Sequence, residues 1–214
     1  MTRVAILISG GGTNLQAFID AVTDGSLDLE IQVVVSNQPD AFGILRARDA
    51  GIPTECVRNA DFPDRAAFDD ALADALERYT PDLLILAGFM RILTSAFVKR
   101  FEGKILNIHP ALLPKYPGLN THQRVIDAGE PWHGSTVHFV TEELDTGPLI
   151  LQGRVAVLSD DTESVLSARV QAVEHKIYPE AAALFASGRL EFKNGESWLD
   201  GSRLVEPLQF DGEN

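Results

Sequence analysis

Short apolar runs alternate with longer stretches of helical character through the first half of the chain. The runs are rich in Val and Ile and lie at Val4–Ile8, Ile31–Val35, Leu83–Leu86 and Ile105–Ile108. Uninterrupted apolar runs of this length are typical of strands whose two faces are both covered by helices. The pattern therefore predicts an α/β fold with a doubly wound, mostly parallel sheet.

Two of the intervening stretches have a clear helical period, Asn14–Thr23 and Pro63–Tyr79. The second places a set of apolar residues on one side, namely Phe68, Leu72, Ala75, Leu76 and Tyr79. Spacings of three and four are those of an amphipathic helix, so this side is expected to face the sheet.

The second half predicts an antiparallel segment followed by a long helix. Ser135–Val140 and Leu149–Val157 have the pattern of strands, and the polar turn Glu142–Pro148 separates them. The apolar positions of the helix are Leu166, Val170, Val173, Ile177, Ala181 and Leu184. No linker separates the two halves, so one domain is expected over residues 1–214, with halves at 1–108 and 109–214.

The ends of the long helix carry several local signals. Ser159, Asp160 or Asp161 is expected to cap its start, and Gly188 is expected to end it. Pro179 should kink the helix or break it in two. After it, Glu191–Leu199 is expected to form a hairpin that turns at Asn194-Gly195.

Composition narrows the class of partner. The formal net charge is −13, which disfavours nucleic acid and anionic membranes but permits a small anionic substrate. Cys56 is the single cysteine, so no intramolecular disulfide can form, and we expect it to fill the core. Val4–Ile8 is too short for a signal-peptide core. These features predict a soluble cytoplasmic protein, with disorder expected only at Asp211–Asn214.

A glycine-rich loop, Ser9–Asn14, follows the first strand and precedes the first helix. The dinucleotide fingerprint fails because Leu15 stands where its third glycine is needed, and no Gly-Lys-Ser/Thr follows for a Walker loop. Two interpretations stay open. Gly12, Thr13 and Asn14 could hold one phosphate at the helix start, or the loop could be a tight turn without a ligand.

Asn107 and His109 lie at the carboxyl end of a predicted strand, where open α/β sheets bind their ligands. They are two residues apart, so their side chains project to the same side. An amide donor and an imidazole could stabilise an oxyanion. A turn-forming Asn and a packed His are the alternative. No histidine pair has metal-binding spacing and no Gly-x-Ser-x-Gly is present, so we expect neither a metal nor a serine nucleophile.

The run His109–Gly118 resembles the signature His-x-Ser-Leu-Leu-Pro-x-x-x-Gly of folate-dependent formyltransferases. It departs from that signature at Ala111, where the family has Ser, and Asn120 stands where relatives often carry His. The resemblance extends in order along almost the whole chain, through Ser9–Asn14, Ala87–Leu93, His133–Val140, Asp145–Pro148, Arg169–Pro179, Ala181–Leu190 and Trp198–Gly201.

The resemblance implies a Rossmann-like formyltransferase fold with a catalytic trio of Asn107, His109 and Asp145. It assigns the first half to phosphate binding and the second half to folate and catalysis. The co-substrate would be 10-formyltetrahydrofolate, with no metal. The implied folate contacts are Arg65, Met90, Arg91, Ile92 and Leu93, and the implied ribonucleotide contacts are Gly12, Thr13, Asn14, Gln171 and Glu174. Gln171 and Glu174 are three apart, so they are expected to share a side of the helix.

Within the family, the resemblance favours transfer of the formyl group to the amine of 5′-phosphoribosylglycinamide, a step of purine biosynthesis, by direct attack through a tetrahedral intermediate. Methionyl-tRNA formyltransferase carries a further C-terminal domain and formyltetrahydrofolate deformylase a further N-terminal one, and neither is expected here. The partners would be small molecules, with the chain a monomer or homodimer. A regulatory module that binds folate or nucleotide without turnover is the alternative, which the presence of the full trio disfavours.

Overall fold

The computed structural model describes residues 1–210 of the chain, so the expected disorder at Asp211–Asn214 lies outside the described residues. The chain packs as two compact units, residues 1–107 and the residues from Ile108 onward. In the described part of the chain, no helix is long and apolar enough to cross a membrane.

The first unit alternates strands and helices. Its strands are β1 (Thr2–Ile8), β2 (Leu29–Ser36), β3 (Thr54–Cys56), β4 (Leu83–Leu86) and β5 (Ile105–His109), the last of which runs on into the second unit. Its helices are α1 (Thr13–Thr23), α2 (Phe42–Asp49), α3 (Arg65–Glu77) and α4 (Ser95–Arg100), with a short 3-10 turn at Asn59–Asp61. The strand pairs β1–β2, β1–β4, β2–β3 and β4–β5 are parallel, with β1 lying between β2 and β4.

The second unit holds helices α5 (Thr121–Asp127) and α6 (Glu163–Ala186). Its strands are β6 (Trp132–Phe139), β7 (Leu149–Ala156), β8 (Leu190–Lys193), β9 (Glu196–Leu199), β10 (Ser202–Arg203) and β11 (Leu208–Phe210). β6 and β7 pair antiparallel, β11 pairs parallel with β7, and β8 to β10 form a small antiparallel sheet.

The eight-stranded sheet has the order β11-β7-β6-β5-β4-β1-β2-β3. This order confirms the predicted doubly wound, mostly parallel sheet with an antiparallel segment in its second half. The apolar runs that predicted β1, β2, β4 and β5 are almost wholly buried, as is the predicted face of α3 up to Leu76. Because a central strand excludes water on both faces, its sequence shows little alternation.

The long helix differs from prediction at its start. Thr162 caps α6 by accepting a hydrogen bond from Val165 N–H, so none of Ser159, Asp160 and Asp161 is the cap. Asp161 is engaged elsewhere, because its carboxylate accepts from Leu158 N–H at 2.8 Å and pairs with Arg169. The next residue with a side-chain oxygen, Thr162, therefore caps the helix.

Pro179 does not break the helix in two, because α6 is continuous from Glu163 to Ala186. Pro179 is buried within it, so packing compensates for the lost backbone donor. The helix lies close to the sheet at Gly153, where an added Cβ would approach Val173 Cγ1 to 2.1 Å. Gly188 ends the helix with a φ of 71°, and the hairpin turns at Asn194 and Gly195, both with positive φ, as expected.

Cys56 is exposed, so the expectation that it fills the core is wrong. It ends β3, which is the edge strand of the sheet and has no fully buried residue. An edge strand three residues long leaves the side chains at its end open to solvent, and the sequence pattern does not mark which strand is at the edge.

Candidate functional site

The glycine loop joins β1 to α1 in the first unit. Gly12 caps α1 in the left-handed region, with φ 69° and ψ 37°, and no side chain caps the helix. A Cβ on Gly12 would lie 2.7 Å from the Cα of Gly43, whereas one on Gly10 or Gly11 would meet nothing within 4 Å. Glycine is therefore required by packing and by conformation at Gly12, while Gly10 and Gly11 leave open space beside the start of the helix.

Ser9 connects this loop to the segment Ala87–Leu93. Its backbone N–H donates to the Gly88 carbonyl at 3.1 Å, and its hydroxyl accepts from Met90 N–H at 2.7 Å. The same hydroxyl donates to Asn37 Oδ1 at 2.6 Å. One serine thus fixes the spacing between two of the segments that the sequence singled out, a role that the sequence pattern did not indicate.

The expected folate contacts differ in exposure. Met90 and Ile92 are 70% and 56% exposed, which is unusual for large apolar side chains, while Leu93 is 8% exposed and belongs to the core. The guanidinium of Arg91 lies 5.9 Å from the ring centroid of Phe68. The segment therefore offers an apolar surface through two of its side chains rather than three.

Arg65 is the first residue of α3 and is exposed. Asp64 caps that helix by accepting from Ala67 N–H at 2.9 Å. The cap sets the direction in which α3 begins, and Arg65 projects from its first turn.

In the second unit, His109 and Asp145 form a buried pair. Nδ1 of His109 lies 3.4 Å from Oδ2 of Asp145, and the two side chains are 7% and 6% exposed. The same Oδ2 accepts from Gly118 N–H at 2.9 Å. Asp145 has a φ of 55°, so the turn between β6 and β7 holds it in the left-handed region that Asp tolerates better than most residues.

The other ring nitrogen of His109, Nε2, lies 2.9 Å from the carbonyl oxygen of Tyr116. A carbonyl only accepts, so Nε2 carries the hydrogen of this bond. Both ring nitrogens therefore face oxygen acceptors, an arrangement that an imidazolium satisfies at each end. Asn107 lies two residues earlier on β5, on the same side of the strand.

The neighbouring histidines are held neutral. Burial, and then the nearness of the His122 and His109 imidazoles, lowers the pKa of His133 to about 4, and burial also lowers the pKa of His122. His133 Nε2 and His122 Nδ1 share one hydrogen bond of 2.9 Å. Burial lowers the pKa of His138, whose Nδ1–H donates to the Phe139 carbonyl at 2.8 Å. These three are packing residues rather than proton donors near neutral pH.

Glu174 and Gln171, which lie three residues apart on α6, differ in burial. Glu174 is buried, while Gln171 is exposed. The two positions are 60° apart around the helix, so they share a side, with Glu174 nearer the packed face and Gln171 at its solvent edge. Ser135 lies beneath Glu174, with its hydroxyl 2.9 Å from Glu174 Oε1 and 2.7 Å from the His109 carbonyl. Ser135 is a further residue that the sequence pattern did not single out.

Among residues 1–210, no group of three or more His, Cys, Asp or Glu side chains is arranged to hold a metal ion. The polar groups described above are instead a glycine loop with open space at a helix start and a buried histidine–carboxylate pair. The sheet order defines a Rossmann-like α/β protein, and each of its two units carries one of these polar groups.

Comparison with known proteins identifies the family. Residues 2–182 match the family described as formyl transferase. The chain therefore belongs to the formyl transferase family. It is 50% identical to the phosphoribosylglycinamide formyltransferase of Escherichia coli (strain K12) over 202 residues, which cover 94% of this chain and 95% of that protein.

Two further relatives extend the comparison. The chain is 45% identical over 195 residues to the human trifunctional purine biosynthetic protein adenosine-3, and the match covers 91% of this chain and 19% of that longer protein. A solved phosphoribosylglycinamide formyltransferase from Coxiella burnetii, in complex with CHES, superposes with a TM-score of 0.94 at 48% identity, covering 98% of this chain and 99% of the other.

Proposed function

We propose that this chain transfers the formyl group of 10-formyltetrahydrofolate to the amine of 5′-phosphoribosylglycinamide, a step of de novo purine biosynthesis. The names of the relatives at about 50% identity support formyl transfer to phosphoribosylglycinamide. The observation that carries the chemistry is the buried pair of His109 and Asp145, with a ring nitrogen 3.4 Å from the carboxylate. A buried imidazole between two oxygen acceptors suits an acyl transfer, in which negative charge develops on a carbonyl oxygen.

The glycine loop is the proposed site of the ribonucleotide phosphate. Gly12, in the left-handed region, is the N-cap of α1, and no side-chain hydrogen bond caps the helix. The backbone N–H groups at Gly12, Thr13 and Asn14 would donate to the phosphate, and the helix dipole would favour its charge. Gln171 and the buried Glu174 are proposed to contact the same substrate, with Ser135 holding the Glu174 carboxyl in place.

The folate is proposed to lie against the segment Met90–Leu93. The exposed side chains of Met90 and Ile92 would gain contacts with its ring system, and the backbone of Arg91 and the buried Leu93 would shape the surface. Arg65 is proposed to meet the acidic tail of the folate.

In the proposed reaction, the neutral amine of the ribonucleotide attacks the formyl carbon and a tetrahedral oxyanion forms. Asn107 and protonated His109 donate hydrogen bonds to this oxyanion, while Asp145 orients and stabilises the imidazolium. The bond from the formyl carbon to N10 of the folate then breaks. A proton lost by the amine reaches N10, so the products are the formamide and tetrahydrofolate, with no covalent enzyme intermediate.

The scheme gives the Tyr116 carbonyl a specific meaning for substrate binding. His109 Nε2 donates to that carbonyl, and Nδ1 faces Asp145. For the imidazolium to bind the oxyanion while keeping its carboxylate, the substrate oxygen must take the place of the Tyr116 carbonyl. That carbonyl therefore marks where the reacting oxygen is expected to bind.

The partners in this proposal are small molecules, and the net charge of −13 supports them over nucleic acid. We propose a single formyltransferase domain over residues 1–214 that acts in the cytoplasm, as a monomer or homodimer and without a metal. A ligand-binding module without turnover would not require the buried pair.

The test is a transfer assay with folate labelled on its formyl carbon. The expected result is a labelled formamide of the ribonucleotide, formed in proportion to the folate consumed. Incubation with labelled folate alone should leave the protein unlabelled. A stoichiometric formyl-enzyme would overturn direct transfer, and folate binding without any labelled product would favour the ligand-binding module.

A further inference from the structure

Helix α2 lies against the glycine loop from the side that carries the loop's carbonyl oxygens. Gly43 N–H donates to the Gly10 carbonyl at 3.0 Å. Three residues further along α2, Arg46 donates from Nε to the Gly11 carbonyl at 2.9 Å. Two successive carbonyls of the loop are thus hydrogen-bonded from one helix.

Arg46 also reaches the first turn of α1. Its Nη1 donates to the side-chain oxygen of Gln16 at 3.0 Å, and the amide nitrogen of Gln16 donates to Asp20 at 2.8 Å. The guanidinium carbon lies 4.9 Å from the ring centroid of Phe42. Arg46 is therefore fixed by a loop carbonyl, by a side chain of α1 and by an aromatic ring of its own helix.

The loop approaches α2 closely at Gly12. A Cβ built on Gly12 would lie 2.7 Å from Gly43 Cα, and one built on Gly43 would lie 3.2 Å from Gly12 Cα. This contact brings the Arg46 stem to the loop, with Cδ 3.6 Å from the position of a Gly12 Cβ. A side chain half-exposed at the surface is thus held with little freedom.

We infer that Arg46 is a positioning residue of the ribonucleotide site, which orients the glycine loop so that its N–H groups face the phosphate. A peptide group whose carbonyl is bound on one side directs the following N–H to the other side, because the two groups of a planar peptide point in opposite directions. The planar fork of arginine can hold the Gly11 carbonyl and Gln16 at once, which a lysine ammonium cannot do in a fixed plane. Its positive charge also favours an anion at the loop.

This inference rests on the proposed function, in which the loop binds the phosphate of the ribonucleotide. The two can be tested apart by using a substrate with the phosphate and one without it. Glycinamide riboside lacks the phosphate but keeps the amine that accepts the formyl group. A residue that acts through the phosphate loop should affect the first substrate and not the second.

The variant is Arg46→Gln, and its matched control is Arg48→Gln. Arg48 lies on the same helix, carries the same charge and is exposed, but its Nε donates to the Thr54 hydroxyl, at 3.4 Å. We expect Arg46→Gln to raise the KM for the ribonucleotide about tenfold, with kcat and the KM for folate changed by less than about twofold. The control should match the parent on every constant.

On glycinamide riboside, Arg46→Gln and the parent should have the same kcat/KM. Arg46→Lys, which keeps the charge and one donor, should give an intermediate KM for the ribonucleotide, and it serves as the test variant if Arg46→Gln fails to fold. Equal losses on both substrates, or an unchanged KM for the ribonucleotide, would overturn the role of Arg46. A parent enzyme that does not distinguish the ribonucleotide from the riboside would overturn the phosphate site itself, and this inference with it.

Discussion

The glycine loop and the His109–Asp145 turn are built on opposite principles. Both hold one residue in the left-handed region, Gly12 at φ 69° and Asp145 at φ 55°. At Gly12 the absence of a side chain permits that conformation and lets Gly43 approach. At Asp145 the side chain itself is the functional group, and its Oδ2 receives the Gly118 N–H.

The difference determines which substitutions each region tolerates. A site made of backbone N–H groups is indifferent to side-chain chemistry but sensitive to any atom that blocks or displaces the backbone. A site made of buried side chains is sensitive to the loss of a single charge or donor, even when shape is kept. The proposed roles can therefore be separated by two kinds of variant. One adds a methyl group to the glycine loop, and the other replaces a side chain of the His109–Asp145 pair by one of the same shape.

The largest effect is expected when the proposed oxyanion donors are removed. Asn107→Ala and His109→Ala should each lower kcat by ~10²–10³, because each removes a donor to charge that develops in the transition state. The double variant should be little worse than the poorer single one, since both act on the same charge. The measurement is kcat at saturating concentrations of both substrates.

His122→Asn is the control for this experiment, because burial keeps His122 neutral and it lies outside the proposed trio. It should keep most of the parent kcat. An Asn107→Ala enzyme with normal kcat would remove Asn107 from the mechanism.

The second effect isolates the charge of Asp145. Asn is also tolerated in the left-handed region, and its amide oxygen can accept the Gly118 N–H that now binds Asp145 Oδ2. Asp145→Asn should therefore keep the fold but lose the carboxylate that faces His109, with kcat lower by ~10².

Asp145→Ala loses the same charge and also the bond to Gly118, so its free energy of unfolding should fall below that of Asp145→Asn. Denaturant unfolding of both variants makes this comparison. Parent-like turnover in Asp145→Asn would show that the carboxylate charge is not needed.

The sequence pattern predicted the central strands because burial leaves a direct trace in composition. Val4–Ile8 and Leu83–Leu86 are apolar without interruption, and both prove to be completely or almost completely buried. It missed α2, α4 and α5, which have eight, six and seven residues. Helices of about two turns or fewer show too little of the helical period to stand out from a loop.

For the candidate site, the sequence proposes residues but not the contacts between them. Asn107 and His109 could be paired by their spacing on one strand. Tyr116 and Ser135, which contact His109, and Gly118, which contacts Asp145, act through backbone groups or one hydroxyl, which carry no compositional signal. The backbone hydrogen bond between Gly43 of α2 and Gly10 of the glycine loop likewise joins residues 33 positions apart in the chain, and no local pattern specifies it.

The third effect separates packing from ligand binding within the glycine loop. Gly12→Ala places a Cβ 2.7 Å from Gly43 Cα at a positive φ, so we expect it to cost about 2 kcal/mol of unfolding free energy. Gly11→Ala meets nothing within 4 Å and should leave stability unchanged. The measurement is denaturant unfolding of the two variants beside the parent.

In kinetic assays, Gly11→Ala should raise the KM for the ribonucleotide and leave the KM for folate unchanged. Its methyl group lies beside the N–H groups that are proposed to bind the phosphate. A large loss of stability in Gly11→Ala would contradict the open space beside the loop. Equal changes in both KM values would contradict the phosphate assignment.

The smallest effect is expected at Arg65, where the proposed contact with the acidic folate tail is exposed to solvent. Exposed ion pairs contribute about 1 kcal/mol or less, so Arg65→Ala should raise the KM for folate by no more than about fivefold and leave kcat unchanged. The difference should shrink as salt is added, because exposed charges are screened. A folate without its glutamate tail should be used equally well by the parent and the variant, and this is the control that assigns the effect to the tail. If Arg65→Ala instead lowers kcat strongly with both folates, Arg65 acts on the reacting groups or on the start of α3, and its place at the folate tail is wrong.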